Sequence, residues 1–153
     1  KIIKKALVSK IKFFKNDLKE KNNRLMLNFG HTFAHAIESS LDNNLSNKAE
    51  ILRHGEAVGL GLLCEIYYKN GKNKIFYQIK NLLDLYSLPT NLKFIKMNKS
   101  LLKKEIFKYI FLDKKKIGKF PRYIGLKNIG RPKILELSNN TKIKNTILNV
   151  LFS

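Results

Sequence analysis

Three histidines form the pattern in this sequence that is best suited to chemistry. They are His31, His35 and His54, and the chain contains no others. His31 and His35 are four residues apart, a spacing that places both imidazoles on one face of a helix. A third ligand from the start of a neighbouring helix would complete a geometry that many zinc sites use. A core histidine bonded to a backbone carbonyl is the alternative interpretation of each.

The first two histidines belong to a longer polar pattern in the stretch 24–38, RLMLNFGHTFAHAIE. Its polar residues follow one another at steps of four, three, four and three: Arg24, Asn28, His31, His35 and Glu38. Because a helix brings such positions to one side, we predict one buried helix from Arg24 to near Leu41 with a polar stripe. Buried polar groups are costly unless they are paired, so the stripe requires a metal, a ligand or a matching network.

A second helix must carry the third histidine. It is predicted over residues 51–69, after an Asn-rich loop at 41–50, and it contains HGEAVGLGLLCEIYYK. Each glycine inside a helix costs about 1 kcal/mol relative to alanine, and close approach of another helix or of a ligand is the usual compensation. Asn70-Gly71 is the predicted end.

The remaining periodicities predict a mainly α chain, organised as one unit over residues 1–153. Residues 1–15 are typical of an amphipathic helix; Lys10 falls on its apolar side, where burial of the aliphatic stem would leave the ammonium in water. Asn98 is the predicted cap of a later helix. Further helices are predicted at 75–86, 99–112 and 141–152, and a short two-stranded excursion within 118–130.

Composition excludes several classes of protein. With 153 residues and 44% hydrophobic residues, the chain can form a real core. A single cysteine, Cys64, excludes an internal disulfide framework and indicates a small buried residue in a cytoplasmic protein. No window approaches the roughly 18 uninterrupted apolar residues of a membrane-spanning helix, so we expect no membrane contact.

The net charge of +20 raises the alternative of a nucleic-acid-binding module. Only 4 of the 31 basic residues are Arg, the type best suited to bidentate base and phosphate contacts. The Lys residues are spread along the whole chain among many Asn and Ile. This distribution favours a compositional bias on solvated surfaces, and nucleic acid is not the expected partner.

The motifs together resemble one family. The chain has no GxGxxG, GxxxxGK[ST] or GxSxG motif. LNFGHTFAHAIE followed by HGEAVGLGL, with Arg24 before and LDKKK after, resembles the dehydroquinate synthases of the sugar-phosphate cyclase superfamily. Lys10, Asp17 and Glu20 also fall where that family places a Lys, an Asp and a Glu. The resemblance implies the helical C-terminal domain of such an enzyme, without the N-terminal domain that holds NAD.

The resemblance also implies roles for individual residues. His31 and His54 would be ligands of zinc or of another divalent metal such as cobalt, the third being a glutamate upstream of Lys1. His35 matches a histidine that handles a proton. Residues that match positions for the substrate's phosphate, carboxylate and hydroxyls are Lys10, Arg24 and Asn28, with Lys114 or Lys115 as a further substrate-binding lysine.

The implied reaction converts a seven-carbon sugar-acid phosphate, DAHP, into dehydroquinate in the shikimate pathway, which leads to aromatic amino acids. NAD transiently oxidises one hydroxyl, phosphate is eliminated, and the ring then closes. The full-length protein would be a carbon–oxygen lyase and a homodimer, while this chain alone would not turn over substrate. Alternatives are another sugar-phosphate cyclase, a glycerol-dehydrogenase-like metal enzyme, or a degenerate non-catalytic domain.

Two features depart from the family's pattern. Ala34 stands between the two histidines of α-helical spacing where the family usually has Gly, and its methyl group could crowd the neighbouring helix. The segment between His35 and His54 is also longer than is typical. Neither departure removes a matched side chain.

Overall fold

The chain folds mainly into helices, as predicted. The structure is a computed structural model, and it describes residues 1–14, 17, 23–42, 51–112 and 120–153. In chain order the elements are α1 (Ile2–Phe14), a 3-10 turn (Asn23–Asn28), α2 (His31–Asp42), α3 (His54–Asn70), α4 (Lys74–Leu85), α5 (Lys99–Leu112), β1 (Arg122–Asn128), β2 (Arg131–Glu136) and α6 (Asn140–Thr146), which continues into a π-helical turn (Ile147–Leu151).

Helix α2 is the centre of the core, because it packs against both α3 and α5. Its apolar side is fully buried, which confirms the predicted burial of this stretch. The largest core side chains with at most 1% exposure on these three helices are Phe33, Ile37 and Leu41 from α2, Leu60, Leu63 and Ile66 from α3, and Leu102, Ile106 and Ile110 from α5. Burial of this apolar surface is what fixes α2 relative to its neighbours.

The prediction of one continuous helix from Arg24 is wrong, because the chain breaks at Gly30. Gly30 adopts a φ of +86°, a left-handed conformation that a helix cannot contain. A Cβ atom there would lie 2.8 Å from the carbonyl oxygen of Val58 and 2.9 Å from the nitrogen of Leu62. The glycine therefore serves both the turn and the close approach of α3. Arg24 and Asn28 lie on the 3-10 turn, outside α2.

Helix α3 begins at His54, three residues later than predicted. The preceding Arg53 is extended, with φ −78° and ψ 153°, and its N–H donates to Glu56 Oε2 at 2.7 Å. This contact is half of a capping box and marks the start of the helix. The predicted end is confirmed, since the helix finishes at Asn70 and the Gly71 N–H donates to the Tyr67 carbonyl at 2.7 Å.

The predicted two-stranded excursion is also confirmed, although its second strand lies beyond residue 130. Strands β1 and β2 pair in antiparallel fashion, with Arg122 opposite Glu136 and Ile124 opposite Ile134. The hairpin is attached to α2 by Thr32, whose Oγ1 donates to the Arg122 carbonyl at 2.8 Å. The hairpin thereby forms a wall beside the start of α2.

Helix α1 is confirmed, but the described residues leave its apolar side uncovered. None of its residues is buried, and Ile2, Ile3 and Leu7 are 78%, 85% and 56% exposed. The helix contacts the 3-10 turn through Phe14, whose ring lies under the Arg24 guanidinium. Lys10 is exposed on this helix, so the predicted burial of its aliphatic stem is not seen among the described residues.

Two further expectations can be compared with the structure. Cys64 is fully buried, and burial raises the pKa of its thiol well above the usual range, so it is a small core residue as predicted. Across the described ranges, no helix has the length and apolar character needed to cross a bilayer.

Candidate active site

The structure brings the three histidines together where two helices begin. His31 is the first residue of α2 and His54 is the first residue of α3, so the core packing of these helices sets their separation. The ring centroid of His31 lies 5.5 Å from that of His54 and 5.6 Å from that of His35. Two imidazoles that share one tetrahedral zinc ion would have centroids roughly 5 Å apart. The spacing therefore suits a shared metal ion.

The Nδ1 atoms of His31 and His54 both face oxygen atoms. His54 Nδ1 lies 3.0 Å from Glu38 Oε1, and His31 Nδ1 lies 3.4 Å from the Phe29 carbonyl. For His54, the oxygen acceptor at Nδ1 favours the tautomer that carries its proton there, and Nε2 of that tautomer has the lone pair that a metal ion would bind. In the described part of the chain, no group of three His, Cys, Asp or Glu side chains is placed to hold a metal. The described residues alone therefore do not supply a complete set of metal ligands.

A cationic pocket lies between α1 and the 3-10 turn. Lys10, Arg24, Asn28 and His31 all line it. The Arg24 guanidinium lies 4.1 Å from the centroid of the Phe14 ring, and the backbone N–H of Arg24 donates to Asp17 Oδ2 at 3.0 Å. A lysine, an arginine and an amide around one opening are suited to an oxyanion with hydroxyl groups.

A second pocket lies on the other side of His31, against the hairpin. Asn28 and His31 line both pockets, and the second is also lined by His35, Arg122 and Tyr123. Sequence reasoning missed Arg122 and Tyr123, because nothing in the sequence shows that β1 packs beside α2. Lys114, Lys115 and Glu20 lie outside the described residues. So do residues 43–50, which belong to the longer-than-typical segment between His35 and His54.

Ala34 occupies the contact between α2 and α3 without exposure to solvent. The facing residue on α3 is Gly61, where an added Cβ would lie 3.0 Å from the Ala34 nitrogen. Helix α3 therefore presents a glycine where it comes closest to the backbone at the start of α2.

Glu65 is a buried carboxyl group that sequence reasoning also missed. It is fully buried on α3; its Oε1 accepts the Thr32 N–H at 3.3 Å and its Oε2 accepts the Ile124 N–H at 3.2 Å. Glu65 therefore joins the start of α2 to β1, the two elements that line the second pocket. A single acidic residue inside the apolar run LLCEIYY was the available signal.

Glu65 gives a testable dependence of stability on pH. Burial raises the pKa of Glu65 from 4.5 to about 8, although hydrogen bonds from Gly30, Ile124 and Thr32 lower it. The pKa of Glu65 is higher in the folded than in the unfolded state, so protonated Glu65 contributes fully to the free energy of unfolding below about pH 4.5. This contribution is lost as pH rises to about 8, which lowers the free energy of unfolding by up to about 4 kcal/mol. We expect the free energy of unfolding, measured in urea between pH 5 and pH 8, to fall more steeply than that of Glu65→Gln, which stays neutral. Parallel curves for the two proteins would contradict this.

Fold and site together define a mainly helical domain in which three neighbouring histidines lie beside a cationic pocket. Residues 1–116 match the family described as 3-dehydroquinate synthase C-terminal. The chain belongs to that family.

Similar proteins carry the same name. The chain is 32% identical over 136 residues to the 3-dehydroquinate synthase of Latilactobacillus sakei subsp. sakei (strain 23K), and this match covers 89% of the chain and 35% of that protein. It is 34% identical over 139 residues to the 3-dehydroquinate synthase of Dictyoglomus turgidum, and this match covers 88% of the chain and 36% of that protein. It is 30% identical over 148 residues to the 3-dehydroquinate synthase of Picrophilus torridus, and this match covers 94% of the chain and 40% of that protein. The chain thus spans little more than a third of the length of these relatives.

Proposed function

We propose that this chain is the metal- and substrate-binding domain, residues 1–153, of a 3-dehydroquinate synthase. The reaction converts DAHP into 3-dehydroquinate with loss of phosphate. The observation that supports this most is the placement of His31 beside His54 and, on its other side, at the wall of the pocket that contains Lys10 and Arg24. Family membership and the 3-dehydroquinate synthases named above support the choice of reaction.

In this proposal the cationic pocket binds the charged groups of the substrate. Lys10 supplies a mobile point charge from α1, and Arg24 supplies a planar guanidinium that stacks on Phe14. Asn28, which lines both pockets, can donate to and accept from a substrate hydroxyl. Orientation of the substrate, and stabilisation of the departing phosphate by fixed positive charge, are the contributions of these residues. Lys114 or Lys115 is proposed as a further contact.

His35 is proposed to move the proton. It lines the pocket beside the hairpin together with Tyr123, and burial raises the pKa of the Tyr123 phenol far above neutrality. Tyr123 therefore stays protonated, and His35 is the residue proposed for proton transfer in this pocket.

The proposal assigns two resident groups to the complete enzyme. His31 and His54 would hold zinc or cobalt, and NAD would be bound mainly by the part of the enzyme beyond this chain. When bound, the metal would supply Lewis-acid polarisation of a substrate oxygen, and NAD would supply reversible hydride transfer. We further propose that the full-length protein is a cytoplasmic homodimer.

The function is tested with the full-length gene product that contains this chain. The purified protein is incubated with NAD, a divalent metal and DAHP, and inorganic phosphate is measured over time. We expect phosphate release that requires both NAD and metal. Release from heptulose or hexose phosphates but not from DAHP would assign another sugar-phosphate cyclase, and no release from any of them would reject the proposal.

A further inference from the structure

We infer that Glu38 is a positioning residue that fixes the tautomer of His54 and so prepares its Nε2 for the metal. The inference rests on the proposed function, because the metal role of His54 comes from it. Sequence reasoning gave Glu38 no partner, and the structure supplies one. Glu38 Oε1 lies 3.0 Å from His54 Nδ1, across the 16 residues that separate them in the chain.

The placement of Glu38 suits this role. Glu38 lies seven residues after His31 on α2, two helical turns further along the same face. From there it reaches the first residue of α3. The side chain of Glu38 is only 16% exposed, whereas that of His54 is 60% exposed. One ring nitrogen of His54 is thus held by a sheltered carboxylate, while the ring itself stays accessible to a ligand.

The chemistry assigns the proton to Nδ1. A carboxylate can only accept a hydrogen bond, so the nitrogen that faces it must carry the proton. The other nitrogen, Nε2, then keeps its lone pair in the neutral imidazole. A free imidazole favours the opposite tautomer, and without Glu38 the ring would also rotate among its rotamers. Carboxylate partners of this kind orient metal-binding histidines and raise their basicity.

A purely structural role for the contact would predict that replacing Glu38 lowers the free energy of unfolding. Because the His54 side chain is 60% exposed, its hydrogen bond to Glu38 should contribute little to the free energy of unfolding. Replacing Glu38 should therefore leave folding nearly unchanged while it alters His54 and metal affinity. This separation allows a sharp test.

The first measurement uses the full-length protein without metal. Long-range ¹H–¹⁵N NMR of the imidazoles reports which nitrogen of His54 carries the proton. We expect the Nδ1–H tautomer in the natural protein and a shift toward Nε2–H in Glu38→Leu. An unchanged tautomer in the variant would overturn the inference.

The second measurement is Zn²⁺ and Co²⁺ affinity, obtained by titration against a competing chelator. We expect Glu38→Leu to weaken binding roughly 10- to 100-fold and Glu38→Gln, which keeps an acceptor oxygen, to weaken it less. The matched control is Glu105→Leu on α5, because Glu105 is 20% exposed and pairs with Lys108 at 3.4 Å; its affinity should be unchanged.

The remaining outcomes either overturn the inference or separate it from the proposed function. A loss beyond about 10³-fold, the scale of a lost ligand, would make Glu38 a direct ligand and overturn the inference. Equal effects of Glu38→Leu and Glu105→Leu would also overturn it. If the tautomer and affinity change as expected but no sugar phosphate yields phosphate, the role of Glu38 stands and the proposed function fails.

Discussion

Gly61→Ala should destabilise the protein by about 3 kcal/mol or more, which is the largest effect that we expect of a single methyl group in this chain. An added Cβ would fall on the carbonyl oxygen of Gly30, and it would lie 2.8 Å from the Gly30 carbonyl carbon and 3.0 Å from the Ala34 nitrogen. These are backbone atoms at the start of α2, so no side chain can rotate away. The free energy of unfolding in urea checks this expectation.

Gly55→Ala is the matched control, because it lies on the same helix with no heavy atom within 4 Å of the added Cβ. Alanine has the higher helix propensity, so this variant should be more stable by about 0.5–1 kcal/mol. Equal stability changes in the two variants would show that the helices do not approach as described. Because His31 follows Gly30 directly, a displaced α2 in Gly61→Ala should also weaken Zn²⁺ binding.

The second large effect concerns catalysis by the full-length protein. His31→Ala and His54→Ala should each lower kcat/KM for DAHP by at least about 10²-fold, since loss of a ligand removes several kcal/mol of Lewis-acid stabilisation. Both should also lose Zn²⁺ affinity. His35→Ala should lower the rate by about 10²- to 10⁴-fold, as expected for loss of a proton-transfer group, with Zn²⁺ affinity retained.

The comparison among the three histidines is decisive because their ring separations are alike, at 5.5 and 5.6 Å. The division of roles relies on the family resemblance and on the Glu38 contact of His54. If His35→Ala lost as much Zn²⁺ affinity as His31→Ala, His35 would be a ligand. If His54→Ala kept full affinity and rate, the metal assignment would be wrong.

Sequence periodicity predicted the helices that contribute most to the core. The spacing of the residues in α2 and α5 is helical, and both helices end within a residue of the predicted position. Asn98 accepts the N–H groups of Ser100 and Leu101 at 2.9 and 3.1 Å, as expected of a helix cap. Local signals of this kind are contained in the sequence itself.

Features set by contacts distant in the chain could not be predicted in this way. The break at Gly30 depends on backbone atoms of Val58 and Leu62, so periodicity alone gave a continuous helix. The partner of Glu38 and the burial of Glu65 likewise depend on how α2 meets α3 and β1. The prediction that one helix carries all five polar residues was therefore only partly correct. His31, His35 and Glu38 share α2, while Arg24 and Asn28 lie on a separate 3-10 turn.

The packing of α2 against α3 also bears on the spacing of the histidines. Buried Leu41 and Leu52 lie just before and just after segment 43–50, which the sequence marks as longer than is typical. Since both flanks are fixed by the core, the positions of His31 and His54 are set by the packing of α2 against α3 and not by the residues that connect these helices. The separation of the two histidine-bearing helices is therefore a property of the core, and a change in the number of residues between Asp42 and Ile51 would not by itself alter it.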